Sequence, residues 1–279
     1  MPSTKATRQG AFFTHHTTEL NENLKRFWET EDLKSVYDTR KLPSYNDRRA
    51  LDIITSSTRK EDNKYIVSQP WKNWPPSLPN NERKIRRCFE TLTEKFKQNP
   101  SSFEKYQNAM SQYLDPKVAE VVPPEELHKD LGQVHYLHHH LAPHPKKKLR
   151  LVFNTSMKTK GKSLTTEIHQ GPDCLNDLVG VFVRFRQKPI AVACDIAAFY
   201  HSVYIPPSHT DFYRFMWYEG NDFNNRTIIM RLLVHLFGGN SSQSCCIHAL
   251  NRAIEDAVSA QIINQQQAHI IKRSFYSDD

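Results

Sequence analysis

The segment Pro189–Asp195, PIAVACD, constrains this chain more than any other: it is a short apolar run that ends in an acid. Such a run reads as a buried strand. An ionised carboxylate there is costly unless it is paired or bound to a metal. A second run, His269–Tyr276, reads as a final strand, and Ser277, Asp278 and Asp279 follow it at once. Two strands that each deliver acid at their C-terminal ends can bring three carboxylates to one point. Hard oxygen ligands select Mg²⁺, and two such ions about 3.5–4 Å apart stabilise the attacking and leaving oxygens of an in-line phosphoryl displacement. The competing reading is plain, since acids near strand ends are common and a paired Asp-Asp can simply be solvated.

Residues 1–62 are polar and weakly patterned and read as a linker, with one short amphipathic helix carrying Leu20, Leu24, Phe27 and Trp28. Residues 63–279 read as one folded region. Gln69–Asn81 holds Pro70, Pro75, Pro76 and Pro79, a density that no helix survives, so it is expected as an ordered loop anchored by Trp71 and Trp74. Ile85, Cys88, Phe89, Leu92 and Phe96 predict a helix over 81–98, and Phe103, Tyr106, Met110 and Tyr113 predict a second. Strands are expected at His135–Leu137, Leu149–Phe153, Phe212–Trp217 and Ile228–Val234, the last two forming a hairpin through Glu219–Asn225. Leu175, Leu178, Val179, Phe182 and Val183 predict a further amphipathic helix. Another opens at Ser241, with Cys246, Leu250, Ala253, Ile254 and Ala257 facing inward.

The formal net charge is +8, which favours polyanionic partners such as nucleic acid. The excess is uneven: Lys146, Lys147, Lys148, Arg150, Lys158, Lys160 and Lys162 follow one another with no acid between them. Five cysteines, with no CxxC pair, read as reduced and mostly buried thiols of an intracellular protein. No apolar run is long enough to span a membrane, and a place in the cytoplasm, the nucleus or a virus-like particle is expected. His138-His139-His140 with His144 has the composition of a metal cluster, but no cysteine is near and zinc is not expected there.

Three motifs carry a specific resemblance. Tyr276-Ser277-Asp278-Asp279 resembles the Tyr-x-Asp-Asp signature of reverse transcriptases. Asp195-Ile196-Ala197-Ala198-Phe199-Tyr200 is similar to their first catalytic motif, an Asp followed five residues later by an aromatic. Leu236-Phe237-Gly238-Gly239-Asn240-Ser241-Ser242 resembles the glycine-containing motif between them. The closer likeness is to the Pao/BEL class of long-terminal-repeat retrotransposon polyproteins, through KLRLVFNTSMKTKGKSL, GPDCLNDLVGVFVRFRQKPIAV and VHLFGGNSSQSC. It covers roughly residues 20–279 and is strongest from about 134 onward.

The resemblance implies an α+β fold, the fingers and part of the palm of a right-handed polymerase, and an RNA-directed DNA polymerase activity. Asp195, Asp278 and Asp279 would hold two Mg²⁺ ions, for which Mn²⁺ could substitute. Tyr200 would lie beneath the incoming sugar and exclude a 2′-hydroxyl. Arg150 would contact the incoming base and triphosphate, with Lys148 a partner on the phosphates. The backbone N–H groups of Ala198 and Phe199 would face the triphosphate. Phe237 and Gly238 would line the nucleotide site, with Gly238 allowing close approach. The expected partners are a primed RNA or DNA template and deoxynucleotides, with no membrane. Asn154 and Gln243 stand where relatives usually carry Asp and Pro, and Ala197-Ala198 are smaller than usual. The strand that should pair after the Tyr-x-Asp-Asp turn, the thumb, RNase H and integrase are expected in a parent polyprotein. The rival readings are a catalytically inactive nucleic-acid-binding remnant of the same fold, and a structural protein reusing it.

Overall fold

A computed structural model of the chain describes Glu22 and residues 43–129, 132–142 and 149–276. The chain divides into two compact units, Met1–Ser44 and Tyr45–Asp279, and every element below belongs to the second. The helix expected at Leu20–Trp28 lies outside the described residues, Glu22 excepted. The second unit is mixed α and β, with three small sheets among the described residues.

Helix α1 (Tyr45–Ser57) is followed by the hairpin strands β1 (Arg59–Glu61) and β2 (Lys64–Ile66), so residues 45–62 are part of this folded body. The proline-rich segment is an ordered loop, as its composition requires. Trp71 is buried in it, and Trp74, though 52% exposed, packs against Trp71, His209 and Phe212. Helices α2 (Glu82–Gln98) and α3 (Pro100–Met110) bury Ile85, Phe89, Phe96, Phe103, Tyr106 and Met110, the stripes their spacing predicts. Asn81 precedes α2 without capping it. Its amide instead donates to the Tyr136 carbonyl at 2.7 Å and accepts from the Tyr136 N–H at 2.8 Å.

Strand β3 (Ala119–Val121) leads to β4 (His138–Ala142) and β5 (Arg150–Asn154), which pair antiparallel. The strand expected at His135–Leu137 thus begins at His138. His135–Leu137 is held by Asn81 and by backbone bonds to Asp211 and Arg214 rather than by a ladder of its own. Beyond the short helix α4 (Leu164–Glu167) comes α5 (Leu178–Phe185), the predicted amphipathic helix. Its apolar face is not buried: Val179 is 60% exposed and Val183 58%.

Two expected strands are absent. Pro189–Asp195 is irregular and exposed, with Ile190 81% and Val192 82% accessible. An apolar run becomes a strand only when another strand takes its N–H and C=O groups, and none does so among the described residues. His269–Ser274 belongs to a helix, and strand geometry is excluded there. The reason is local. Asn264 and Gln267 form a reciprocal capping box, Lys272 and Arg273 complement the last turn, and Ala268 recurs with Ile271 at helical rather than alternating spacing.

Strand β6 (Val203–Tyr204) pairs parallel to β2, closing the order β1-β2-β6. Strands β7 (Arg214–Tyr218) and β8 (Thr227–Leu232) form the predicted hairpin, and β3 adds to its far edge. Helix α6 (Ser242–Ser259) and helix α7 (Gln265–Ser274) complete the chain. A large core lies between α2, α3 and the β7–β8 hairpin. A smaller one joins Ile54, Val67, Tyr200, Val203, Cys245, Cys246 and Ala249.

The hairpin carries a buried ionic network. Arg214 is fully buried, meets Asp211 at 2.8 Å and donates to the carbonyls of Glu126 and Leu127. Arg231 binds Glu120, Glu126 and Asp211. Burial alone would raise the pKa of Asp211, but hydrogen bonds from Lys129 and Arg214 outweigh it and hold the group ionised. Removing one partner of such a pair strands a buried charge. Asp211→Ala should therefore cost about 3 kcal/mol in urea unfolding, whereas Glu219→Gln, in an exposed pair with Arg226, should leave the midpoint in place.

Four histidines, His135, His139, His209 and His235, are pushed by burial from 6.5 down to about 4. A depressed histidine contributes stability that is full above the unfolded value of 6.5 and is lost as pH falls toward 4. Melting temperature should therefore drop between pH 6.5 and pH 4, and a flat profile over that window would contradict the burial of these rings.

Candidate functional site

The smaller core supports a row of aromatic rings drawn from three distant parts of the sequence. Arg150, the first residue of β5, places its guanidinium 5.5 Å from the centre of the Phe237 ring. Phe237 meets Tyr200 edge-on at 5.6 Å. Tyr200 lies 5.5 Å from Phe199, and Phe199 lies 5.4 Å from Phe275. Cation–π and edge-to-face contacts of this kind each add roughly 0.5–1.5 kcal/mol beyond burial. The structure therefore brings together Arg150, Phe199, Tyr200 and Phe237, four of the residues singled out in the sequence.

Tyr200 is 8% exposed and belongs to the small core, so it is a packing residue as well as a site candidate. It sits in a 3₁₀ turn, Phe199–Ser202, entered through Ala198 at φ 50° and ψ 45°. A left-handed non-glycine residue costs roughly 1–2 kcal/mol. Such strain persists where the surroundings fix it, often beside a functional site.

Gly238 also needs its identity for its backbone, at φ +74°, while the space where a side chain would go is open. Gly239 is needed for a different reason that the motif alone does not reveal: a Cβ there would run into the Ser242 hydroxyl. Beneath this loop is a buried polar chain. Ser241 donates to the Gln69 Oε1, the Gln69 amide lies 3.2 Å from His235 Nδ1, and His235 Nε2 lies 3.0 Å from the Val67 carbonyl. Burial keeps His235 neutral, so one ring nitrogen can accept from Gln69 while the other donates to Val67. Ser241 occupies the N-cap position of α6, but its hydroxyl is engaged with Gln69 rather than with the first N–H groups of the helix. No local pattern marks Gln69, which lies in the proline-rich loop far away in sequence.

Asp195 is exposed and forms no ion pair with another described residue. Lys148, Asp278 and Asp279 lie outside the described residues. Of the three carboxylates expected to converge, only Asp195 is among the described residues. Among the described residues no group of three His, Cys, Asp or Glu side chains could hold a metal. A carboxylate such as that of Asp195 suits a hard cation such as Mg²⁺. His139 is a core residue, its nitrogens bonded to the Tyr106 hydroxyl at 2.6 Å and the Met216 carbonyl at 2.9 Å. Cys245 and Cys246 are buried, Cys88 and Cys174 half-buried and Cys194 exposed, so burial of the thiols is less general than expected. No described helix is long and apolar enough to cross a membrane.

No protein-family model, no curated protein and no solved structure matches the chain.

The contact beneath Gly239 can be tested by a double-mutant cycle. Gly239→Ala should lower the melting temperature, and Ser242→Ala in the same chain should restore most of the loss, because it removes the colliding hydroxyl.

Proposed function

We propose that this chain carries the fingers and part of the palm of an RNA-directed DNA polymerase, a reverse transcriptase of the Pao/BEL retrotransposon type. The observation that carries the reading is the ring row. Residues from the fingers-type strand, the Asp-x₄-Tyr motif, the glycine motif and the run into Tyr-x-Asp-Asp sit side by side: Arg150, Tyr200, Phe237 and Phe275. These motifs are widely separated in sequence, and packing on the smaller core sets side by side residues that one shared site would need together.

In this reading Arg150 receives the triphosphate, assisted by Lys148, while Tyr200 and Phe237 form the floor beneath the sugar. The backbone at Ala198 and Phe199 turns toward the phosphates, and Gly238 leaves the approach open. Asp195, Asp278 and Asp279 would hold two Mg²⁺ ions, with Mn²⁺ as a substitute. When bound, these ions supply the positive charge that in-line displacement at the α-phosphate requires. The net charge of +8 fits a nucleic-acid partner, here a primed RNA or DNA template with deoxynucleotides.

Primer extension with Mg²⁺ tests the reading. Asp195→Asn should abolish incorporation. Arg150→Ala should lower kcat/KM for the incoming nucleotide by about tenfold or more, with a smaller loss for Arg150→Lys. Tyr200→Ala should admit ribonucleotides that the parent chain rejects. Incorporation that survives Asp195→Asn would overturn the assignment.

A further inference from the structure

The half of the Trp74 ring left open to solvent is not explained by packing. One side of the indole lies against His209, with centroids 4.4 Å apart, and against Trp71 and Phe212 at 5.9 and 5.8 Å. The Trp71 N–H donates to His209 Nδ1 at 3.2 Å and fixes that imidazole beneath Trp74. Trp74 is thus a rigid aromatic ledge, 52% exposed, on a proline-stiffened loop.

Two residues before Trp74 on the same loop, Lys72 opens a run of cations. The Lys72 ammonium donates to the Thr166 carbonyl at 2.8 Å, and its backbone N–H donates to the Glu167 carbonyl. This joins the loop to the segment that follows the lysine turn. Lys158, Lys160 and Lys162 lie on that turn, closed by the Thr159–Lys162 bridge. Lys84 from α2 reaches the Lys158 carbonyl at 2.6 Å and extends the strip onto the helix. Of the acids nearby, Glu167 lies 3.9 Å from Lys162 and Glu82 pairs with Arg86 at 2.6 Å.

We propose that this strip is a binding track for single-stranded nucleic acid, in which Trp74 stacks on a base while Lys72, Lys84, Lys158, Lys160 and Lys162 follow the phosphates. A fixed aromatic face beside a line of cations is what a single strand requires, and it needs no sequence preference. The inference rests on the polymerase reading and adds to it the residues that meet the unpaired strand.

The test compares the full chain with fluorescein-labelled oligo(dT) of about 20 nucleotides and an abasic phosphodiester of equal length, at low salt with EDTA. Trp74→Ala should weaken oligo(dT) about tenfold and leave the abasic strand unchanged, and Trp74→Phe should keep most of the affinity. Lys158→Ala with Lys160→Ala should weaken both ligands and flatten the salt dependence, by about 0.7 in slope per lost phosphate contact. No loss with Trp74→Ala, or equal loss for both strands, overturns the proposal. Because metal is excluded, the two readings fail separately. A chain that binds through Trp74 but incorporates no nucleotide loses only the polymerase assignment, and one that incorporates normally with Trp74→Ala binding unchanged loses only the track.

Discussion

The loop bearing Phe237 and Gly238 depends on one buried chain of hydrogen bonds, from Ser241 through Gln69 and His235 to the Val67 backbone. Each member satisfies another polar group that burial would otherwise leave unpaired. That mutual satisfaction is what lets such a network sit in the interior at all. It ties the proline-rich loop to the glycine motif, so the side chains that converge on Phe237 inherit their positions from a residue 172 positions from Ser241 in sequence. If Gln69 were apolar, His235 Nδ1 would lose its donor, and Ser241 would lose its acceptor.

Much of the scaffold was legible because it depends on periodicity. Helices α2 and α3 bury the stripes their spacing announces, and the β7–β8 hairpin follows from alternation around a turn-rich segment. The misreadings share a cause. PIAVACD has strand composition, but a strand is a relation between two segments, and composition names only one of them. In His269–Ser274 the β-branched pair Ile270-Ile271 suggested extension, whereas the capping box at Asn264 decided for helix. The face of α5 was readable, but what would cover it was not.

At the candidate site the motifs identified Arg150, Tyr200 and Phe237 singly, and their adjacency is a property of the fold alone. Gln69 and Gly239 were missed for opposite reasons. The first acts through a contact distant in sequence, and the second through a clash that appears only once Ser242 is placed. Ala198 carries a backbone conformation that no residue type would have suggested.

The division into two apolar clusters has a dynamic consequence. Tyr200, Phe199 and Phe237 rest on the smaller one, built from α1, β6 and the start of α6. The β7–β8 hairpin and its ion network belong to the larger. Fewer buried contacts mean a lower free energy of local opening, so the aromatic floor can breathe as a cooperative subunit while the hairpin stays protected from solvent exchange. A ligand that bridges Arg150 and Tyr200 would close that subunit down, and part of its binding energy would go into ordering the protein.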